Sequence, residues 1–248
     1  MRSLVASAFR RTIADALLSV LLAPNCAACD RPLDEPTQGP VCQACWQSIR
    51  SFTPPLCTVC GDPLPSWRVI STESGTCARC GQQHQVSLSR AIGDYDGSLR
   101  AIVHALKYGG RRSVARRLGA LLAQHGDAVL AGADLVVPVP LHRSRKRLRG
   151  FNQAAEIARH LPVASADVLK RVRATLSQTD LPAAERRANV RDVFARRRHA
   201  DVNGLVIVLV DDVSTTGATL ESCARVLLES GARDVRALTA ARVVSRPR

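Results

Sequence analysis

Four C-x-x-C pairs constrain this chain more than any other feature: Cys26/Cys29, Cys42/Cys45, Cys57/Cys60 and Cys77/Cys80 all fall within 55 residues. The ninth cysteine, Cys223, stands alone far downstream. A segment of about 60 residues this poor in apolar side chains cannot build its own core, so something else must cross-link it. Disulfides would need an oxidising compartment and an export signal. The first 23 residues make a poor one, because Asp15 interrupts the apolar stretch Ile13 to Ala23 and Pro24-Asn25 is a poor cleavage or lipidation site. A cytoplasmic address is therefore expected.

In a reducing compartment such pairs, with 12 residues between the first two and 16 between the last two, are expected to bind zinc. Each pair sits on a tight turn that aims two thiolates at one metal, and two turns complete a tetrahedron of four sulfurs. Turn-compatible glycines follow Cys60 and Cys80. A redox role for C-x-x-C would not need four copies. The expected sites are Cys26, Cys29, Cys42 and Cys45, then Cys57, Cys60, Cys77 and Cys80, with an interleaved pairing as the alternative. Four cysteines per Zn2+ leave no open coordination position, so both sites are expected to be structural. Trp46, Phe52 and Trp67 are expected to plug the small ribbon interiors, with stacking on bases as the alternative.

Ahead of the cysteines, Leu4, Phe9, Ile13, Leu17, Leu18 and Leu21 form a stripe at helical spacing, predicting an amphipathic helix over residues 1–23 that packs on the body. No apolar run reaches the roughly 18 residues of a membrane span. The expected division is this helix, a double zinc ribbon over 24–87, and an α/β domain over 88–248.

That last domain opens with a predicted strand, Ser89 to Tyr95. Two amphipathic helices follow, marked by Leu99, Ile102, Val103, Leu106 and by Leu118, Leu121, Leu122, with a Tyr108-Gly-Gly break between them. Asp134 to Pro140 is nearly all apolar, as in a parallel-sheet strand buried on both faces. Leu141 to Gly150 is dense in Arg and Lys and leads to a helix from Phe151 to about His160. Residues 172–192 are polar and Arg-rich, the pattern of a long excursion. Leu205 to Val210 is a second buried strand. A helix through Leu228 and a strand around Val235 to Ala240 then complete a parallel α/β order.

The chemistry concentrates at Val206 to Leu220. A buried strand that ends in Asp211-Asp212 and turns through Ser214-Thr-Thr-Gly-Ala-Thr219 into a helix suits a phosphorylated sugar. Helix-start amides and threonine hydroxyls can bind a phosphate. Gly217 allows close backbone approach, and carboxylates at the end of a parallel strand can accept ribose hydroxyls. Ordinary helix capping would explain the hydroxyls but not the carboxylates beside them. His104, His125, His142, His160 and His199 have no partner at metal or triad spacing, and Cys223 is expected to be a small core residue. The net charge of +14 adds phosphate attraction, although all but three of the 35 basic residues are Arg, a bias that a GC-rich genome would also produce.

The string Val206-Ile-Val-Leu-Val-Asp-Asp-Val-Ser-Thr-Thr-Gly-Ala-Thr-Leu220 resembles the phosphoribosyl-pyrophosphate (PRPP) motif of type I phosphoribosyltransferases, with Ser214 where the motif prefers an aliphatic residue. The wider chain resembles the ComF (ComFC, GntX-like) family. It does so in the cysteine pairs, Tyr95-Asp-Gly97, Leu106-Lys-Tyr108, Val137-Pro-Val-Pro-Leu141, Arg149-Gly-Phe-Asn-Gln153, Arg173-x-Thr175-x-x-Gln178, Arg186-x-x-Asn189-Val190 and Phe194.

The resemblance implies a type I phosphoribosyltransferase-like parallel sheet flanked by helices, with a small N-terminal double zinc ribbon. It implies a PRPP site made of Ser214, Thr215, Thr216, Gly217, Ala218 and Thr219 together with Pro140, Leu141, His142, Arg143 and Arg149. Asp211 and Asp212 are the implied catalytic acids, Mg2+ the implied companion of PRPP, and 173–189 the loop that closes over it. The implied role is handling of single-stranded DNA during natural transformation, with competence machinery proteins as partners. The alternative is a Mg2+-dependent phosphoribosyltransferase of nucleotide or salvage metabolism with an unidentified acceptor. Basic residues at 143–149 and 173–191 are then expected to serve PRPP, and those at 111–117 and 196–198 to be free for nucleic acid.

Overall fold

A computed structural model describes residues 2–64, 75–77, 80, 84–172 and 193–244. The chain forms two compact units. One comprises residues 1–50 and 96–114, the other 51–95 and 115–248. The ribbon segment is thus divided: the first cysteine quartet belongs to one unit and the second to the unit that holds the sheet.

In the first unit, α1 (Arg2–Leu22) precedes the first quartet, a 3-10 turn (Pro36–Gln38) and the short helix α2 (Gln43–Gln47) lie within or beside it, and α3 (Gly97–Tyr108) completes the unit. The sequence predicts that the apolar stripe of α1 packs inward, and the structure corrects this. Ile13, Leu17 and Leu21 are exposed, while Asp15 is buried. The reason is polar: Thr37 donates its amide to Asp15 Oδ1 at 2.8 Å, and Ser19 Oγ donates to the Leu33 carbonyl at 3.1 Å. Backbone groups of the irregular ribbon need partners, and side chains one turn apart on α1 supply them. Trp46 is buried as expected, and Trp67 lies outside the described residues.

In the second unit, β1 (Ser89–Asp94), β2 (Leu135–Pro138), β5 (Val206–Ser214) and β6 (Asp234–Arg242) form a four-stranded parallel sheet in the order β1-β6-β5-β2. β5 is central because it can be: every side chain from Val206 to Val210 is apolar and buried, as a strand covered on both faces requires. The sequence places its end at Val210, but pairing with β6 continues through Ser214, opposite Arg242. The helix α8 (Ala218–Glu229) covers one face, packing Leu220, Cys223, Ala224 and Leu227 with Ile207, Leu209 and Val235. Cys223 is a core residue, as expected.

Among the remaining elements are α4 (Val114–His125), α5 (Asp127–Leu130), α6 (Arg143–Arg149) and α7 (Gln153–Ala158). A separate antiparallel pair, β3 (Leu169–Arg171) and β4 (Phe194–Arg196), flanks the predicted excursion. Arg173, Thr175, Gln178, Arg186, Asn189 and Val190 lie outside the described residues.

Candidate functional site

The eight paired cysteines form two clusters, Cys26-Cys29-Cys42-Cys45 and Cys57-Cys60-Cys77-Cys80, and within each the four sulfurs lie within 4.8 Å of one another. This is the sequential pairing; the interleaved one is excluded. The sulfur separations are 3.9 Å for Cys26–Cys45, 3.8 Å for Cys29–Cys42 and 3.6 Å for Cys60–Cys77. A Zn–S bond of about 2.3 Å gives a tetrahedral edge of about 3.8 Å, so the sulfurs already stand at the spacing Zn2+ requires. Amides reinforce the turns: Cys42 donates to Cys26 Sγ at 3.3 Å and Cys77 to Cys57 Sγ at 3.3 Å. Burial alone would raise these two thiols, but amide donation outweighs it and holds Cys26 at about 6 and Cys57 at about 7. Burial dominates at Cys45 and Cys60, whose pKa values are raised.

The second quartet is built directly onto the sheet. Ser89 of β1 donates its amide to the Val59 carbonyl at 2.6 Å, and Arg90 reaches back to the Cys57 and Thr58 carbonyls. Gly61 takes φ +71°, and a Cβ there would stand 2.7 Å from the Ser89 carbonyl oxygen. Only glycine fits this turn at this distance.

β2 runs beside β5 and ends with Pro138 opposite Val210, four residues before β5 ends, with Val139 N–H donating to Val210 O at 2.9 Å. The loop Val139–His142 and the acidic end of β5 are thereby adjacent. Alternation along β5 puts Asp211 on the face of Ile207 and Leu209, beneath α8, and Asp212 on the opposite face. Asp211 Oδ1 accepts the Asp212 amide at 2.8 Å, and Asp212 is buried. Ser214 is also buried, and its hydroxyl has no hydrogen-bond partner among the described residues. Thr215, Thr216, Gly217, Ala218 and Thr219 are half-buried. Gly217 adopts φ +80° at the cap of α8, and Thr216 Oγ1 accepts the Ala218 amide at 3.4 Å. First-turn amides of α8 face the turn without intrahelical acceptors.

Leu141 to Gly150, the stretch dense in Arg and Lys, contains α6. His142 caps it: its Nδ1 accepts the Ser144 amide at 3.3 Å and lies 2.7 Å from Ser144 Oγ. Arg143 is exposed, Pro140, Leu141 and Arg149 are half-buried, and Arg149 donates to Gln153 Oε1 at 3.0 Å. Asn152 explains the Gly-Phe-Asn-Gln string. Its Oδ1 caps α7 through Ala154 N–H while its Nδ2 donates to the Val139 carbonyl, tying helix to loop.

Sequence reasoning missed Arg171. On β3, its guanidinium lies 5.6 Å from the centre of the Phe194 ring. Burial and then the like charge of Arg145 lower its pKa, while Cys223 and Asp211 act in the opposite sense. Two guanidiniums in each other's field form an arrangement that an anionic ligand would relieve. No local motif marks Arg171, because Arg145 and Asp211 reach it through the fold.

A double zinc ribbon and a phosphoribosyl transferase domain are the classes these features define: the former's family description matches residues 17–81 and the latter's matches 147–247. The chain is 36% identical over 225 residues to the DNA utilization protein YhgH of Salmonella typhimurium, covering 85% of this chain and 93% of that one. It is 29% identical to Competence protein F of Haemophilus influenzae over 79% of this chain and 87% of that one. The chain belongs to the ComF family. Among solved structures, glutamine PRPP amidotransferase from B. subtilis is similar at 24% identity and a TM-score of 0.37, over 55% of this chain and 30% of that one. No helix among the described residues is long and apolar enough to cross a membrane.

Proposed function

We propose that this protein binds PRPP, with Mg2+, at the turn between β5 and α8 and handles single-stranded DNA; one of its relatives is named a DNA utilization protein and another a competence protein. The observation that carries the PRPP reading is the adjacency of the Asp211–Thr219 turn and the basic segment Pro140–Arg149 at one edge of the sheet. Thr215, Thr216, Thr219 and the first amides of α8 would hold the 5'-phosphate. Arg143, Arg145 and Arg149 would meet the pyrophosphate, and Asp211 and Asp212 the ribose hydroxyls. Mg2+, when bound, would neutralise pyrophosphate charge.

The DNA half is supported by α3 and the turn after it. From Ser98 to Gly126 the chain has no acidic residue, and Arg100, Lys107, Arg111 and Arg112 lie in the first unit. Tyr108 is 61% exposed, its ring centre 4.6 Å from that of His104. Exposed rings among guanidiniums suit unpaired bases on a phosphate backbone. Arg196 and Arg197 suit it less, because they donate to the Ala200 and Leu169 carbonyls.

Calorimetric titration of PRPP with and without Mg2+ tests the first half: binding that Mg2+ strengthens and Asp211→Ala plus Asp212→Ala abolishes is expected, and no heat with the wild type would refute it. Retention on single-stranded DNA that falls steeply with salt and weakens in Tyr108→Ala tests the second, and no retention at low salt would remove it. A second reading, phosphoribosyl transfer to a nitrogen nucleophile, is favoured by the acidic pair itself. It predicts pyrophosphate release from PRPP in the presence of some base, and a blank screen across bases would count against it.

A further inference from the structure

Residues close in sequence to the second cysteine quartet bond both sides of the turn between β5 and α8. On one side, the Asp62 carboxylate, two residues past Cys60, forms an ion pair with Arg242 Nε, and both side chains are almost wholly buried. Arg242 is the β6 residue opposite Ser214, where β5 ends. Its carbonyl accepts the Tyr95 amide at 2.8 Å, and the next amide, Val243, donates to the Ser214 carbonyl at 2.9 Å. On the other side, His84 and Gln85 follow Cys80 closely. The Gln85 amide donates to Glu221 Oε2 at 2.7 Å, and His84 Nδ1 stands 3.3 Å from Glu221 Oε1. Glu221 lies in the first turn of α8, its own amide bonded to the Gly217 carbonyl. The stretch Ser214–Glu221 is therefore bonded at one end, through Arg242, to the Asp62 side chain and at the other to Gln85 and His84.

Charge supports the arrangement. Zn2+ with four thiolates carries two net negative charges, and Arg90 and Arg242 lie in the electrostatic field of this quartet. A buried pair broken at one partner leaves the other charge uncompensated, so Arg242 depends strongly on Asp62. The first quartet is bonded differently, to α1 through Ser19 and Asp15 in its own unit.

We infer that the second metal site acts as a strut for the phosphate turn, and that Asp62 and Glu221 are positioning residues for the ligand bound there. The inference rests on the PRPP reading for the identity of the ligand but not for the strut itself. The test uses the full-length, zinc-loaded protein. In Asp62→Asn, with zinc still at two per chain, amide hydrogen exchange at 214–219 in the absence of ligand should accelerate by about tenfold or more. The PRPP dissociation constant should rise by a similar factor, and Asp62→Glu should recover part of both. Asp15→Asn, which removes the buried α1 carboxylate that accepts the Thr37 amide of the first ribbon, should leave exchange at 214–219 unchanged. Should Asp62→Asn not fold, Glu221→Gln gives the same readout from the other anchor. Unchanged exchange in the folded variant, or equal acceleration in Asp15→Asn, overturns the strut. A wild type that binds no PRPP refutes the functional reading while the exchange result still decides the strut.

Discussion

Replacing Gly61 with alanine should loosen the second ribbon from the sheet by an amount that the structure lets one apportion. Gly61 has φ +71°, and an added Cβ would stand 2.7 Å from the Ser89 carbonyl oxygen and 3.3 Å from Arg90 Cδ. The left-handed backbone costs an L-residue about 1–2 kcal/mol, and the clash, against backbone rather than a flexible side-chain end, adds about 1–3 kcal/mol. Relief requires the turn to lift from β1, stretching the 2.6 Å bond from Ser89 N–H to Val59 O. The total, about 2–5 kcal/mol, corresponds to roughly 5–15 °C in Tm. Gly110→Ala separates the two terms, since Gly110 has φ +62° but nothing within 4 Å of an added Cβ. It should lose only the backbone part. Thermal unfolding of both zinc-loaded variants, followed by circular dichroism, decides the matter: equal shifts would show that close approach to β1 contributes nothing, and no shift in either would refute the backbone argument too.

Asn152→Ala removes both the α7 cap and the bond to Val139 O, and should cost about 1–2 kcal/mol in a denaturant titration. Asp234→Asn should cost about 1 kcal/mol near neutral pH. Burial would raise the Asp234 pKa, but donation from Ser87 and Arg236 outweighs it and lowers it, so folding favours the ionised form. Its contribution is full above the unfolded value of about 3.9 and is lost as pH falls through the folded value, so wild type and variant should converge there in a pH series of melts. Zinc quantification by mass spectrometry should give two per chain, and a chelator that strips both should unfold the ribbons; one metal or none would refute the two-site assignment.

Much was legible from short-range pattern. The C-x-x-C turns, the apolar run of β5 and the Asp-Asp-hydroxyl string each describe local geometry, and each element occurs near its expected bounds. Errors arose where distant groups decided. The stripe of α1 has helical spacing, but periodicity does not say which face docks; Asp15 and Ser19 took the inner position because ribbon backbone groups needed partners. The basic residues of 196–198 looked free for nucleic acid, but Arg196 donates to the nearby Ala200 carbonyl and the β3–β4 pair brings the Leu169 carbonyl to Arg197.

By itself, then, the sequence determined four C-x-x-C turns and an apolar strand that runs into two carboxylates before a hydroxyl-rich turn, because those depend on neighbours a few residues apart. Only the tertiary structure decided the sulfur pairing, the division of the two quartets between compact units, and the bringing of Arg171 into the electrostatic field of Asp211. It alone joined Asp62 to Arg242 and Gln85 to Glu221, which lie 136 residues apart in the second case. The physical reason is that a buried charge must find its partner wherever the packed chain brings one, and no local spacing encodes that meeting.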